Sequence, residues 1–135
     1  MAAEPSEEVM ELVRLLVERW NAGDTEGTVE LYRPDAVIRS GPDWPEQSVW
    51  AGHQWVRRNI EDWRSVWESV EVEVDRVESH GDAVVCSGNW KPRGRVSGLG
   101  GDWPFAAVVR VVGGRIASVD WHTDVQMARA AAIEG

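Results

Sequence analysis

The sequence predicts an α+β domain in which helices pack against an antiparallel sheet and an unusual number of tryptophans must be placed. Three observations predict it. The first third repeats apolar residues with the period of a helix, and the second half alternates with the period of strands. Nine tryptophans crowd a chain of 135 residues, and each such ring hides ~150–250 Å². A chain of this length fits one domain with one core, taken here as residues 1–135.

The elements follow in order. Over residues 6–22, Val9, Leu12, Val13, Leu16, Val17 and Trp20 recur at helical spacing and make one apolar face. Ser6 is placed as its N-cap and Gly23 as its end. A short helix fits Thr25 to Leu31 behind Asp24, and a strand fits Ala36 to Ser40. The two prolines of Gly41-Pro42-Asp43-Trp44-Pro45 exclude a regular ladder there. A third helix runs from about His53 to Ser69, with Val56, Ile60, Trp63 and Trp67 on one stripe. Val70 to Asp75 alternates with period two, a turn follows at His80-Gly81-Asp82, and Ala83 to Trp90 is the next strand. Gly94 to Asp102 is a glycine-rich connection to strands Trp103–Val112 and Ile116–Asp124, joined at Gly113-Gly114. Val125 to Ile133 is a tail helix. The order ααβαββββ places helices against one face of the sheet.

Composition narrows the function. The net charge is −9 and no basic cluster exceeds Arg57-Arg58, so nucleic acid and anionic membrane surfaces are not expected partners. No apolar run approaches the roughly 20 residues of a membrane span. The acidic N-terminus MAAEPSEEVM lacks the order of a signal peptide, and a cytoplasmic location is expected. The lone Cys86 lies in the apolar run AVVC and reads as a buried thiol. His53 and His80 read as solvated, no histidine pair has metal-ligand spacing, and no metal or cofactor is expected.

Several segments, in this order, resemble the SnoaL-like, ketosteroid-isomerase-like family of the nuclear-transport-factor-2-like superfamily. They are Trp20-Asn21-Ala22-Gly23-Asp24 with Leu31-Tyr32-Arg33-Pro34-Asp35-Ala36, and Gly52 opening the third helix. Gly94-Arg95-Val96-Ser97-Gly98, Trp103-Pro104-Phe105-Ala106 and Val109 to Ile116 follow, then the tail Asp124 to Ala130. The resemblance implies a cone-shaped sheet wrapped on three helices, a pocket at its mouth and a dimer across the outer face. It also places the isomerases' tyrosine on Leu16, their general base on Ser40 and their second aspartate near Ala107. The relay of the similar limonene epoxide hydrolases falls near Trp121, Gly88 and Trp90, and their water-holding pair on Ile38 and Ser40. Enolisation needs a base and an oxyanion donor. Neither leucine nor alanine supplies one, so neither activity is expected.

By the same comparison the ligand-binding set is Leu16, Trp20, Ile38, Ser40, Trp90, Trp103, Ala107, Val109 and Trp121. Aromatic walls with one or two polar atoms suit a flat apolar or aromatic metabolite. The same tryptophans can instead fill the cone, and Trp44, Trp50 and Trp55 form either a lid or a second small core. Asp120, His122 and Asp124 share one strand face and form the alternative, a His/Asp acid–base isomerase, cyclase or hydrolase. A non-catalytic dimeric interaction domain is a further alternative. The outer face, with Val37, Val85, Val108 and Val112 among polar neighbours, predicts a homodimer.

Which face of the last strand looks inward depends on Gly113-Gly114. A two-residue loop pairs Val109 with Ser118 and turns Asp120, His122 and Asp124 inward. A three-residue loop pairs Val109 with Ala117 and turns Val119, Trp121 and Thr123 inward. Ionised groups buried without partners cost several kcal/mol each, so Trp121 is expected inside and His122 on a solvated outer face, with Asp120 diagonal to Arg110.

Overall fold

A computed structural model describes residues 4–42, 48–94 and 102–134. Trp44 and most of the glycine-rich stretch 94–102 lie outside the described residues. The elements are α1 (Glu7–Asn21), α2 (Thr25–Val29), β1 (Tyr32–Ser40), β2 (Val49–Ala51), α3 (His53–Ser65), β3 (Ser69–His80), β4 (Ala83–Arg93), β5 (Trp103–Val112), β6 (Arg115–His122) and α4 (Val125–Glu134). Capping chemistry starts the first two helices: Ser6 Oγ accepts from Val9 N at 3.2 Å, and Asp24 Oδ1 accepts from Gly27 N at 2.8 Å.

Six strands form one curved, open sheet in the order β2-β1-β6-β5-β4-β3. It is mixed rather than wholly antiparallel, because β1 and β6 run parallel. Pairing with β6 also draws β1 back to Tyr32, four residues before the expected start and through Pro34. The short β2 was not expected; it exists by pairing with the end of β1, Ile38 opposite Trp50.

Two irregularities shape the sheet. Between β3 and β4, Asp75 is an extra residue opposite Gly88 and Ser87. A Cβ at Gly88 would lie 1.9 Å from the Glu73 carbonyl oxygen, so only glycine lets this bulge close and bend the hairpin. Between β5 and β6, Gly113 and Gly114 both have positive φ, 62° and 78°, as a two-residue hairpin turn requires. Val112 then faces Arg115 and Val111 faces Ile116, but Arg110 faces Ser118 and Val109 faces Val119. Ala117 is the extra residue of a bulge. Both expected registers are therefore corrected: the loop has two residues, and the bulge reverses the facing it would otherwise impose.

The concave face carries the main core. Leu12 and Trp20 of α1, Val29 of α2, and Val56 and Ile60 of α3 meet Ile38, Cys86, Phe105, Val109 and Val119 of the sheet. The end of α1 is fastened to the edge strand β3. Trp20 Nε1 donates to the Val70 carbonyl at 2.9 Å, and the Asn21 amide exchanges two bonds with Val72, at 2.8 and 3.0 Å. A free strand edge is thereby paired.

Not all helices lie on one face. α4 covers the convex side, where Ala128 and Ala132 pack on Ala83, Val85, Ala106 and Val108. Val85 and Val108 are fully buried there, so the exposed outer patch expected from the sequence shrinks to Val112, with Val37 half-buried. Arg129 locks α4 to β3 through a bidentate pair with Glu78, at 2.6 and 3.0 Å. Among the described residues no helix is long and apolar enough to cross a membrane.

Candidate functional site

The concave core does not close on itself. It surrounds a cavity of about 600 Å³. All nine residues of the predicted ligand-binding set line it: Leu16, Trp20, Ile38, Ser40, Trp90, Trp103, Ala107, Val109 and Trp121. The tryptophans therefore leave open space.

Strand register grades the cavity. At one end Ser40 lies beside Trp121 and Trp90 opposite Trp103, and Trp103 is 42% exposed, which marks the mouth. Rings crowd this end. Trp67 and Trp103 have centroids 5.1 Å apart at 78°, Trp63 and Trp90 lie 5.9 Å apart at 71°, and Trp90 meets Trp20 at 5.2 Å and Trp121 at 5.5 Å. All but the tilted Trp90–Trp121 pair meet edge to face, a favoured arrangement of aromatic quadrupoles. Large rings meeting edge to face tile a curved wall poorly, and the remaining volume is the pocket. Arg64 stacks on the outer side of this cluster. Its guanidinium carbon is 4.2 Å from the Trp20 ring centroid, and its Nη2 donates to the Trp20 carbonyl at 2.5 Å. Burial lowers its pKa, and the ring face compensates part of the lost hydration.

Polar groups in the wall are few. Ser40 Oγ and Ser48 Oγ are 3.1 Å apart near the mouth. Among the described lining residues, Tyr32, Asp62 and Cys86 carry the ionisable groups. Asp62 is exposed and receives a bond from Arg58 at 3.1 Å. Burial pushes the Cys86 thiol up to about 12 and the Tyr32 phenol above its ordinary value, so both stay neutral near pH 7. A neutral thiol is a weak nucleophile. The wall is suited to holding a ligand by contact and hydrogen bonding.

The alternative trio is placed elsewhere; none of its members lines the cavity. Asp120 faces outward as expected, held by Arg39 Nε at 2.6 Å and Arg110 Nη1 at 3.4 Å. His122 also faces away from the cavity but is buried, at 3% exposure, which corrects the solvated position expected for it. It packs on Gly41, where a Cβ would come 2.5 Å from the ring. Asp124 caps α4, accepting from Gln126 N at 2.8 Å. The other two histidines are corrected as well. His53 Nε2 donates to the Tyr32 carbonyl at 2.7 Å, and His80 Nε2 lies 3.0 Å from the buried Glu78 carboxylate. Among the described residues no group of three His, Cys, Asp or Glu side chains has metal-binding geometry.

Sequence reasoning missed Tyr32, Trp50, Trp63, Trp67 and Phe105 in the wall. Trp63 and Trp67 stood on the apolar stripe of the third helix, a pattern that does not separate core from cavity wall. Tyr32 stood before Pro34, in a segment read as connection. Trp50 does pack with Trp55, centroids 6.1 Å apart, and lines the mouth.

A curved sheet with helices on its concave face and an apolar cavity between them defines a class of small pocket-bearing α+β domains. The model of the SnoaL-like domain matches residues 13–119, and the chain belongs to that family. Its fold is shared with solved structures of low sequence identity. TerC, co-crystallised with polyporic acid, superposes with a TM-score of 0.75 at 16% identity, over 96% of this chain and 100% of that one. A hypothetical protein of ketosteroid-isomerase-like fold from Catenulispora acidiphila, in complex with trimethylamine, gives 0.73 at 16%, over 83% and 84%. A putative polyketide cyclase from Sinorhizobium meliloti gives 0.68 at 17%, over 87% and 100%. No curated protein matches the chain by sequence.

Proposed function

We propose that this chain is a cytoplasmic small-molecule-binding protein whose concave cavity takes a flat, apolar or aromatic metabolite. The observation that carries the reading is the cavity of about 600 Å³ left open among aromatic and aliphatic side chains, a size and lining ordinary for small-molecule sites. Likeness in fold to proteins crystallised with polyporic acid and with trimethylamine supports small-molecule binding. The Asp120, His122 and Asp124 groups face away from the cavity, which favours binding over acid–base catalysis by that trio. We propose a homodimer as well, with support narrowed to the convex surface around Val37 and Val112.

A thermal-shift screen of steroids, terpenoids and polyketide-like aromatics tests the pocket. Ligand at 100 times its Kd adds about 2.7 kcal/mol, which raises the Tm by several degrees. The buried Ala107 lines the cavity, so an Ala107→Trp variant that still folds should lose the shift. A screen without any shift, or a shift that survives this variant, overturns the reading.

A further inference from the structure

The rings of the cavity wall carry an electrical character beyond their apolar surface. Seven tryptophans are among the described lining residues, in a chain with nine tryptophans but one phenylalanine and one tyrosine. Leucine or phenylalanine would make an equally apolar wall. Tryptophan differs in its face, the most electronegative of the aromatic side chains, and in its N–H, which is electropositive. The fold turns three of those N–H groups away from the cavity. Trp20 Nε1 donates to the Val70 carbonyl at 2.9 Å. The Nε1 atoms of Trp63 and Trp67 are buried within the wall and have no hydrogen-bond partner among the described residues. These three rings therefore offer the cavity ring carbon rather than a donor. Trp63 stands at the centre of the cluster, 5.9 Å from Trp90 at 71°, 6.1 Å from Trp103 at 54° and 6.3 Å from Trp67 at 74°. Rings inclined to one another wall a space on several sides, the arrangement in which one cation meets several faces. The cluster already holds a cation from outside: the Arg64 guanidinium carbon is 4.2 Å from the Trp20 ring centroid. Arg64 is not among the described lining residues, and its charge is also met by the Trp20 carbonyl in the last turn of α1.

Charge then chooses among ligands. No Lys, Arg or His is among the described lining residues, and the one carboxylate, Asp62, is exposed and engaged with Arg58. An anion would find no counter-charge here, in a chain of net charge −9 that repels it. A cation is drawn in by the same field. A primary ammonium would bring three N–H donors to a wall of few acceptors, whose Ser40 and Ser48 hydroxyls engage each other, and unmet donors are costly. A quaternary ammonium has no N–H and spreads its charge over methyl groups, so ring faces are enough to hold it. We propose that the tryptophan wall binds the methylated, permanently charged nitrogen of a small organic cation whose apolar body lies along Val13, Val17 and Val109. The proposal rests on the reading of the cavity as a small-molecule site and names the class of compound it takes.

Phenyltrimethylammonium and tert-butylbenzene have nearly the same size and shape and differ in charge. NMR titration of each against the full chain at physiological salt should give the cation a Kd about tenfold below that of the neutral probe. Trp63→Leu keeps the wall apolar but removes a ring face, and should weaken the cation about tenfold relative to the neutral probe. Growth on 5-fluorotryptophan withdraws charge from every indole face with little change of shape, and the cation's advantage should shrink several-fold. If Trp63→Leu fails to fold, the fluorinated chain decides alone. A neutral probe that binds as tightly as the cation overturns the proposal and leaves the cavity reading standing. So does a preference for the cation that fluorination leaves unchanged, because the acidic surface rather than the rings would then attract it. Failure of both probes to bind the native chain overturns the cavity reading and this proposal with it.

Discussion

Alternate residues of β4, β5 and β6 look to opposite sides of one sheet, and the two sides are filled with opposite materials. On the convex side small residues meet: Ala106 and Val108 lie against Ala128 and Ala132 of α4, all at 5% exposure or less. On the concave side large rings meet: Trp90 of β4, Phe105 of β5, next to Ala106, and Trp121 of β6 pack at centroid distances of 5.5 Å. Small side chains let a helix approach until no space remains, as interiors usually do. Rigid rings inclined to one another by 37° to 65° do not stack flush and leave volume between them. The convex side also carries the ion pairs, Glu78 with Arg129 and Asp120 with Arg39 and Arg110. The closed, charged side ties α4 to the sheet; the open, neutral side keeps the cavity.

The sharpest way to break this division is at the bend that separates the two sides. Gly88→Ala places a Cβ 1.9 Å from the Glu73 carbonyl oxygen and within 3 Å of two further backbone atoms. Backbone must move to admit it, and we expect a loss of about 3 kcal/mol, read from the urea midpoint. Aromatic ligands should bind more weakly to whatever remains folded, because the curvature of β3 and β4 shapes the cavity. A variant as stable as the native chain would remove the bulge from this account.

A smaller effect should come from the convex side alone. The Glu78 carboxylate is held down to about 2, first by Arg129 and then by His80. A folded-state pKa below the ordinary value of 4.5 contributes stability that is fully present above 4.5 and is lost as pH falls toward 2. Glu78→Gln should therefore cost about 2 kcal/mol at pH 7, and the gap to the native chain should narrow between pH 4.5 and pH 2. Hydrogen exchange should quicken in α4, while aromatic ligands bind as before. A gap that stays constant with pH would mean that Glu78 acts by packing.

The smallest expected effect concerns the part of the convex side that α4 leaves uncovered. Val112 is 52% exposed, so Val112→Glu should change the stability of the protomer by less than about 0.5 kcal/mol. If the proposed dimer uses this surface, sedimentation should show a dimer for the native chain at micromolar concentration and a monomer for the variant. A native chain that sediments as a monomer ends the dimer proposal.

Local chemistry made part of this legible. The stripe from Val9 to Trp20 with Ser6 before it specifies α1 to within a residue at each end, because helix period and capping are properties of neighbouring residues. The resemblance to a family located nine wall residues by position. Trp63 and Trp67 were visible as an apolar stripe, yet a stripe states only that a side is buried. Tyr32 was hidden because its strand is held by β6, more than eighty residues away in sequence.

The sequence by itself determined the helices, most of the strands, the apolar lining and the absence of a cationic cluster, since each depends on residue type and short-range spacing. Tertiary structure decided which way β6 faces. A Gly-Gly turn of two residues would point Asp120 and His122 inward, and nothing local to the turn prevents it. The bulge at Ala117 reverses this because the whole strand must bury Ile116, Val119 and the inner part of Trp121 while Asp120 reaches Arg39 and Arg110. Tertiary structure also decided that the rings leave a cavity. Whether side chains fill a space depends on the distance between the walls, and here the curvature imposed at Gly88 and the docking of α1 and α3 set that distance.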